Sequence, residues 1–329
     1  MTARRPSLVT MLIVLLLLGG AEAAARRAEP SLEPFVTWGN EETDAKIPQI
    51  EALERDGGVD VVFLGSSIAN VGFDPSQFIE ESPWATSAYN ASIDSASPQL
   101  LEQWTIDVVL PALRPKVIVV GVTSRSFNDN GRNQAIAYQA YFDSPGRQLR
   151  IGEANPIERI TASVNESSAL ARIKSSLRRP TAFGADPPKE LMLTDLGHER
   201  RRADDRYNFT ARYRKRMKRS VLNDFEVGGL QVESLRGLVA AAEAAGARVV
   251  LVDMPVFERD HFAVHPNGAA DFAAYRALID EFAAENPVDL LMPPNTPWRR
   301  GIFADPIHLS GNGTERLTRW LARTLNVSG

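Results

Sequence analysis

Two short polar segments near opposite ends of the chain contain the residue types of a serine nucleophile and its base. Gly65-Ser66-Ser67 directly follows an apolar run, and Asp305-Pro306-Ile307-His308 precedes the last predicted helix. An Asp and a His three residues apart can share one turn, where the carboxylate holds one imidazole nitrogen and the other faces a serine hydroxyl. Gly and Ser are also ordinary turn residues, so the first segment indicates catalysis only together with the second.

The other three histidines have weaker contexts. His261 and His265 are four residues apart, a spacing that places two metal ligands on one helix face. Pro266 follows them and no third ligand is nearby, so the pattern favours a polar loop, and we predict no metal site. His198 stands beside charged residues and is predicted to lie on the surface.

The elements that must position these residues follow an alternating pattern. Short apolar, β-branched runs at 59–64, 116–121 and 248–253 predict buried strands. Amphipathic helices are predicted at 99–113, 230–245, 272–284 and 314–325. This alternation predicts an α/β protein with three layers, in which helices cover both faces of a central parallel sheet. Ligands of such sheets bind at the carboxyl ends of the strands, where Gly65-Ser66-Ser67 falls.

The N-terminus has the pattern of an export signal. Arg4 and Arg5 precede an apolar run at 8–18, and Ala21-Glu22-Ala23 resembles a signal peptidase site, so the mature chain would begin near Ala24. An uncleaved membrane anchor and a buried N-terminal helix are the alternatives. Either of the first two places the rest of the chain outside the cytoplasm, secreted or anchored in the membrane with the catalytic domain outside.

Composition excludes several classes of protein. The 329 residues are 44% hydrophobic and 24% charged, which is close to the average of folded soluble domains. There is no cysteine, so disulfides, thiolate nucleophiles and Cys-based metal sites are excluded. The net charge of −4 does not suggest the basic face of a nucleic-acid-binding protein.

The charge is distributed unevenly along the chain. Residues 147–219 contain 18 basic and 9 acidic side chains, whereas the remainder has an excess of acidic ones. We predict four segments: a signal or anchor at 1–25, a leader at 26–56, a core at 57–125 and 227–329, and a mainly helical basic insertion at 126–226. The basic run is either a solvated helix face or a surface for an anionic polymer or anionic lipid headgroups.

With these segments, the sequence resembles the SGNH, or GDSL-type, hydrolases. Their serine lies in a Gly-Asp-Ser turn after the first strand, matched by Gly65-Ser66-Ser67, and their last block is Asp-x-x-His, matched by 305–308. The resemblance implies a flavodoxin-like fold with Ser67 as nucleophile, His308 as general base and Asp305 as its orienting partner. It implies no cofactor.

The resemblance also implies an oxyanion and substrate region. The second block, Asn-x-Gly, corresponds to Asn90-Ala91-Ser92, in which the N–H of Ser92 stands at the Gly position. The third block, Gly-x-Asn-Asp, follows the 116–121 strand, and its asparagine falls on Thr123, with Asn128 as a replacement if the loop folds back.

The Gly-Ser-Ser variant with an N-terminal targeting segment is similar to the exported branch of the family, which transfers acyl groups to or from cell-envelope polymers. This implies an acyl-ester hydrolase or O-acyltransferase acting on an acylated glycan or envelope polymer, with membrane association through the N-terminal segment and no nucleic-acid partner. The alternatives are a non-catalytic protein that binds an envelope glycan, and a zinc enzyme using His261 and His265.

Overall fold

The computed structural model describes residues 8–32, 35–174, 192–201, 207–294 and 298–325. A five-stranded sheet, with all its strands parallel, forms the centre of the fold in the order β2-β1-β3-β4-β5. This confirms the predicted α/β class. The strands are β1 Val61–Gly65, β2 Ala88–Asn90, β3 Val117–Val122, β4 Arg248–Asp253 and β5 Val288–Leu291.

Helices account for most of the remaining structure. The α-helices are α1 Leu8–Ala28, α2 Glu41–Arg55, α3 Ser67–Gly72, α4 Pro75–Glu81, α5 Pro98–Trp104, α6 Leu110–Leu113, α7 Arg132–Phe142, α8 Pro145–Arg150, α9 Pro156–Ser167, α10 Ala169–Arg172, α11 Ala211–Arg216, α12 Leu230–Ala244, α13 Glu258–Phe262, α14 Ala269–Glu285 and α15 Gly311–Thr324. Short 3₁₀ turns lie at Glu29–Ser31, Ser124–Phe127 and Arg300–Ile302, and π-helical segments lie at Thr105–Val109 and Met217–Val221.

The central strands are buried on both faces, as parallel strands covered by helices should be. Val61 and Phe63 of β1 belong to a core cluster with residues of α3, α4 and α15. The alternate side chains, Val62 and Leu64, are also fully buried. Because successive side chains of a strand point to opposite faces, the sheet packs against helices on each side.

The predicted strands at 59–64, 116–121 and 248–253 correspond to β1, β3 and β4 within two residues. Two strands were missed by the sequence patterns. β2 has only three residues, and β5 is a four-residue edge strand whose side chains are only partly buried. Neither is long enough or apolar enough to show a periodic pattern.

The chain divides into two compact units. One unit comprises Met1–Glu41 and Ser144–Glu190, and it has a small core of Ala25, Leu32, Ala169 and Ile173. The other comprises Glu42–Asp143 and Leu191–Gly329 and contains the whole sheet. The segment predicted as one insertion, 126–226, is therefore shared between the two units.

Helix α1 is 21 residues long with a mean hydropathy of 2.2, and its leucine-rich first half is exposed. By length and composition it is able to cross a membrane, and a signal sequence has the same properties.

Part of the predicted leader belongs to the core. Residues 41–55 form α2, in which Lys46 and Ile50 are almost completely buried. The border predicted at residue 57 therefore falls after a helix that packs into the sheet-containing unit.

Candidate active site

The site begins where two neighbouring strands end side by side. Gly65 closes β1 and is paired in register with Gly121 of β3. Gly65 has a φ of +150°, and a Cβ atom there would lie 2.5 Å from the Cβ of Ala69 and 2.7 Å from the carbonyl oxygen of Gly121. Glycine is therefore required for α3 to approach the sheet this closely.

The serine identified from the sequence lies directly after this close approach. Ser66 is the N-cap of α3, and Ser67 is its first residue, so the hydroxyl of Ser67 stands at the carboxyl edge of the sheet. The backbone N–H groups of a first helical turn have no acceptor within the helix. The backbone N–H of Ser67 therefore has no hydrogen-bond acceptor within α3.

The Asp-Pro-Ile-His segment forms a tight turn before α15. A β-bridge between Phe303 and Leu309 closes this turn. Within it, Asp305 Oδ1 accepts hydrogen bonds from the backbone N–H groups of Ile307 at 3.0 Å and His308 at 2.9 Å. The carboxylate is therefore fixed by its own turn before it contacts the imidazole.

Three side chains predicted to act together are in contact. His308 Nε2 lies 2.9 Å from Ser67 Oγ, and His308 Nδ1 lies 2.7 Å from Asp305 Oδ2. With Nδ1 protonated, the imidazole donates to Asp305 and accepts from the serine. Ser67 is 9% exposed, and the His308 and Asp305 side chains are 12% and 18% exposed. The three side chains are therefore largely buried but keep some contact with solvent.

The electrostatics keep Asp305 ionised. Burial by itself raises the pKa of this carboxyl, but the charge and hydrogen bond of His308 and the two backbone N–H groups outweigh it and lower the pKa to about 2. A carboxylate at neutral pH is what an imidazolium forming at His308 requires for stabilisation.

Tyr213 belongs to the basic segment of the chain, residues 211–223, and connects it to Asp305. It is the buried residue of α11, and its hydroxyl donates to Asp305 Oδ1 at 3.5 Å. Burial and the Asp305 carboxylate raise the pKa of Tyr213, so its hydroxyl keeps its proton. The basic side chains around it, Arg212, Arg214, Lys215, Arg216, Lys218 and Arg219, are exposed.

The expected second block has a structural role that differs from the prediction. The carboxamide of Asn90 donates to the carbonyl oxygens of Ala69, Asn70 and Phe73, which ties β2 to α3. Asn90 Oδ1 accepts the N–H of Ser92 at 3.1 Å. The amide predicted as an oxyanion donor is therefore already paired.

A buried lysine also holds the segment Asn90-Ala91-Ser92. Lys46 Nζ of α2 donates to the carbonyl oxygens of Ser92 at 2.6 Å and Asn90 at 3.0 Å, and to Asn70 Oδ1 at 2.9 Å. Glu42 lies 3.2 Å from the same ammonium and accepts the N–H of Asp94. Burial raises the pKa of Glu42 to about 7 and lowers that of Lys46.

The expected third block also differs. Thr123 is buried and caps the 3₁₀ turn at Ser124–Phe127. Asn128 is fully buried, and its Nδ2 donates to the carbonyl oxygens of Val221 and Asn223. Both donors of this carboxamide are occupied in holding the end of the basic segment, so Asn128 does not replace the missing asparagine.

The histidines expected in a polar loop are buried instead. His261 Nε2 and His265 Nε2 each lie 2.9 Å from Ser124 Oγ and 3.2 Å from one another. Burial lowers the pKa of both, to about 4 for His265. His198, expected on the surface, is 4% exposed and contacts the carbonyl oxygen of Val71. Polarity alone did not reveal these partners, which lie far away in the sequence.

Among the residues that the structure describes, no group of three or more His, Cys, Asp or Glu side chains is arranged to hold a metal ion. Tyr213, Lys46 and Arg125, which is buried in the Ser124–Phe127 turn, are the site-region residues that sequence reasoning missed. The apolar spacing of Tyr213, Met217 and Val221 was the available signal for the first of them.

Comparisons with known proteins gave distant structural likenesses. Neither the models of known families nor the curated proteins match the sequence. One similar solved structure is described as a lipolytic protein of the G-D-S-L family from Desulfitobacterium hafniense DCB-2, with 12% identity, a TM-score of 0.40, and coverage of 82% of this chain and 100% of that one. Another is described as an acylhydrolase from Bacteroides fragilis NCTC 9343, with 10% identity, a TM-score of 0.39, and coverage of 85% and 95%.

Proposed function

We propose that the chain is a serine-dependent acyl-ester hydrolase or O-acyltransferase of the SGNH type. The observation that carries this proposal is the continuous path of hydrogen bonds from Ser67 Oγ through the His308 imidazole to the Asp305 carboxylate. A serine hydroxyl is a weak nucleophile until a positioned base accepts its proton, and this path supplies that base.

The first half of the reaction forms an acyl-enzyme. Ser67 Oγ attacks the ester carbonyl carbon while His308 Nε2 takes the hydroxyl proton, and Asp305 stabilises the imidazolium. The negative charge moves to the carbonyl oxygen, toward which the backbone N–H of Ser67 is a donor. As the carbonyl re-forms, the alcohol leaves with the proton from His308.

The second half releases the acyl group. A water molecule or a sugar hydroxyl gives its proton to His308 and attacks the acyl carbon. The bond to Ser67 Oγ then breaks as His308 returns the proton to that oxygen, which frees Ser67 and yields either an acid or a new ester. Hydrolysis and transfer thus use the same side chains and differ only in which acceptor reaches the acyl-enzyme.

The proposed substrate is an acylated cell-envelope glycan or envelope polymer outside the cytoplasm. Helix α1 supports this location, because it is apolar and long enough to serve as a signal or anchor. We take this polymer to be anionic, because α11 contacts Asp305 through Tyr213 and carries exposed basic side chains.

A fluorophosphonate probe tests the proposed nucleophile. The probe should label wild type and Ser66→Ala, and it should not label Ser67→Ala. Hydrolysis of a chromogenic acetyl ester should fall by about 10⁴- to 10⁶-fold in Ser67→Ala and remain close to wild type in Ser66→Ala, the matched control. Labelling that survives in Ser67→Ala and disappears in Ser66→Ala would reverse the assignment.

The substrate class has a separate test. Reversing Arg214, Lys215 and Arg216 to Glu should weaken turnover of an anionic glycan and make it less sensitive to salt. Turnover of a small acetyl ester should fall far less. An equal loss on both substrates would contradict the role proposed for the basic segment.

A further inference from the structure

Arg125 carries a buried positive charge beside the triad. It lies in the 3₁₀ turn that follows β3, next to the strand that leads to Ser67, and only 7% of its surface is exposed. Among the residues that the structure describes, no carboxylate forms an ion pair with its guanidinium. Burying a charge is costly unless the charge is paired, so this guanidinium is in an environment that favours an anion beside it.

The guanidinium keeps some contact with solvent, because none of its nitrogen atoms is both unpartnered and fully buried. Among the described residues none forms a hydrogen bond with these nitrogen atoms, so an anion that binds them displaces no protein partner.

The nearest charged groups do not neutralise it. Burial lowers the pKa of Arg125, and the Asp94 and Asp305 carboxylates favour its charged form through space. Asp305 is committed to His308 and to two backbone N–H groups, and Asp94 is exposed. Arginine stays protonated under such conditions, so the positive charge persists at neutral pH.

The turn that carries Arg125 is held from several sides. Ser124 Oγ lies between the two buried histidines, and the carbonyl oxygen of Arg125 accepts a hydrogen bond from Gln134 Nε2 at 2.9 Å. Phe127 packs against Tyr275 with ring centroids 5.8 Å apart. A cation on a fixed backbone loses little freedom when it binds a ligand, which is the arrangement of a prepared binding site.

We propose that Arg125 is the specificity residue of this site, and that its guanidinium binds a carboxylate or phosphate group of the substrate next to the ester that Ser67 attacks. This inference rests on the proposed function. The fork of guanidinium donors matches both oxyanions, and the paired charges make a stronger contact than a neutral hydrogen bond does. The enzyme then prefers esters that carry a negative charge near the scissile bond over neutral esters of the same length.

Two esters of matched length test this preference: 4-nitrophenyl hemisuccinate, which carries a carboxylate, and neutral 4-nitrophenyl butyrate. In Arg125→Gln, kcat/KM for the hemisuccinate should fall by about 10- to 100-fold, and kcat/KM for the butyrate should change by less than about 3-fold. Arg125→Lys keeps the charge, so its kcat/KM for the hemisuccinate should lie between the values of wild type and Arg125→Gln. Arg55→Gln, the same change at an exposed site at the end of α2, should leave both values as in wild type. An equal loss on both esters would overturn the proposal.

A binding measurement separates this proposal from the proposed reaction. Inorganic phosphate should raise the thermal unfolding midpoint of Ser67→Ala, which lacks the nucleophile, and should not raise that of the double variant Ser67→Ala/Arg125→Gln. If neither ester is hydrolysed by wild type, the proposed function fails, and the phosphate measurement still decides whether Arg125 binds an anion. Equal midpoint shifts in the two variants would refute the role of Arg125.

Discussion

Ser67 and Ser124 each follow one of two neighbouring strands, and each contacts histidine nitrogen at 2.9 Å. Their surroundings differ. The far nitrogen of His308 lies 2.7 Å from Asp305, whereas the far nitrogen of His265 lies 3.8 Å from Asp271, beyond hydrogen-bond distance. Ser67 is partly exposed to solvent, whereas Ser124 is fully buried between two buried imidazoles.

A serine beside a histidine is therefore not enough for catalysis. The base must be held in one tautomer by a carboxylate, must be able to take on a proton, and must meet a substrate. Burial lowers the pKa of His261 and His265, which opposes the charged form that a general base has to adopt. Ser124 instead joins α13 to the turn that carries Arg125, so the same pair of residue types serves structure in one place and, in our proposal, chemistry in the other.

The largest contrast is expected between the two aspartates. Asp305→Asn should lower kcat for an acetyl ester by about 10⁴-fold, because an amide favours the wrong imidazole tautomer and does not stabilise the imidazolium. Asp271→Asn should change kcat by less than about 3-fold. Steady-state kinetics on the two purified variants measure both values, and a large loss in Asp271→Asn would show that the second serine and its histidines take part in the reaction.

A smaller effect is expected at the second serine, and on stability. Ser124→Ala removes the hydroxyl between His261 and His265 and should lower the free energy of unfolding by about 1–3 kcal/mol, because buried imidazole nitrogens lose a partner. Urea unfolding measures this loss, and fluorophosphonate labelling of Ser67 should persist. Loss of labelling in a folded Ser124→Ala protein would contradict the separation of the two serines.

An effect of similar size is expected in the dependence of stability on pH. The pKa of His265 is lowered from about 6.5 in the unfolded chain to about 4 in the fold. The unfolded state therefore binds more protons between these values, so stability is full above pH 6.5 and falls as the pH drops toward 4. For this group alone, the free energy of unfolding should decrease by about 2 kcal/mol between pH 7 and pH 5.

Urea unfolding at pH 7, 6 and 5 measures this slope, with His265→Gln as the variant that lacks the group. The variant should show a shallower dependence on pH than wild type does. Identical slopes in the two proteins would mean that the pKa of His265 is the same in the fold as in the unfolded chain, contrary to its burial.

Much of the sheet, and the contacts that join Ser67, His308 and Asp305, could be predicted because the responsible signals are local. The runs at β1, β3 and β4 are apolar throughout, and a Gly-Ser-Ser turn and an Asp-x-x-His turn each fit within four residues. The pairing of Ser67 with His308 spans 241 positions, yet the parallel topology brings both to the same edge of the sheet.

The parts that could not be predicted depend on distant partners. His261 and His265 have the composition of a polar loop, yet they are buried against partners that are distant in the sequence, such as Ser124, 137 residues from His261, and Phe225, which packs against His265. Asn128 keeps the residue type expected of an oxyanion donor, but the end of the basic segment uses both of its N–H donors. Residue type and spacing do not reveal which partner a carboxamide meets.

The buried Lys46 of α2 determines where a shortened version of the protein can begin. A chain that starts at residue 57, at the first apolar strand, would lack the ammonium that holds the carbonyl oxygens of Asn90 and Ser92 and the side chain of Asn70, on the helix that begins with Ser67. Three buried oxygen atoms would lose their donor at once. The smallest fragment able to keep the proposed nucleophile in place must therefore start before Glu42, because Lys46 supports the segments next to Ser67 although it precedes the first strand.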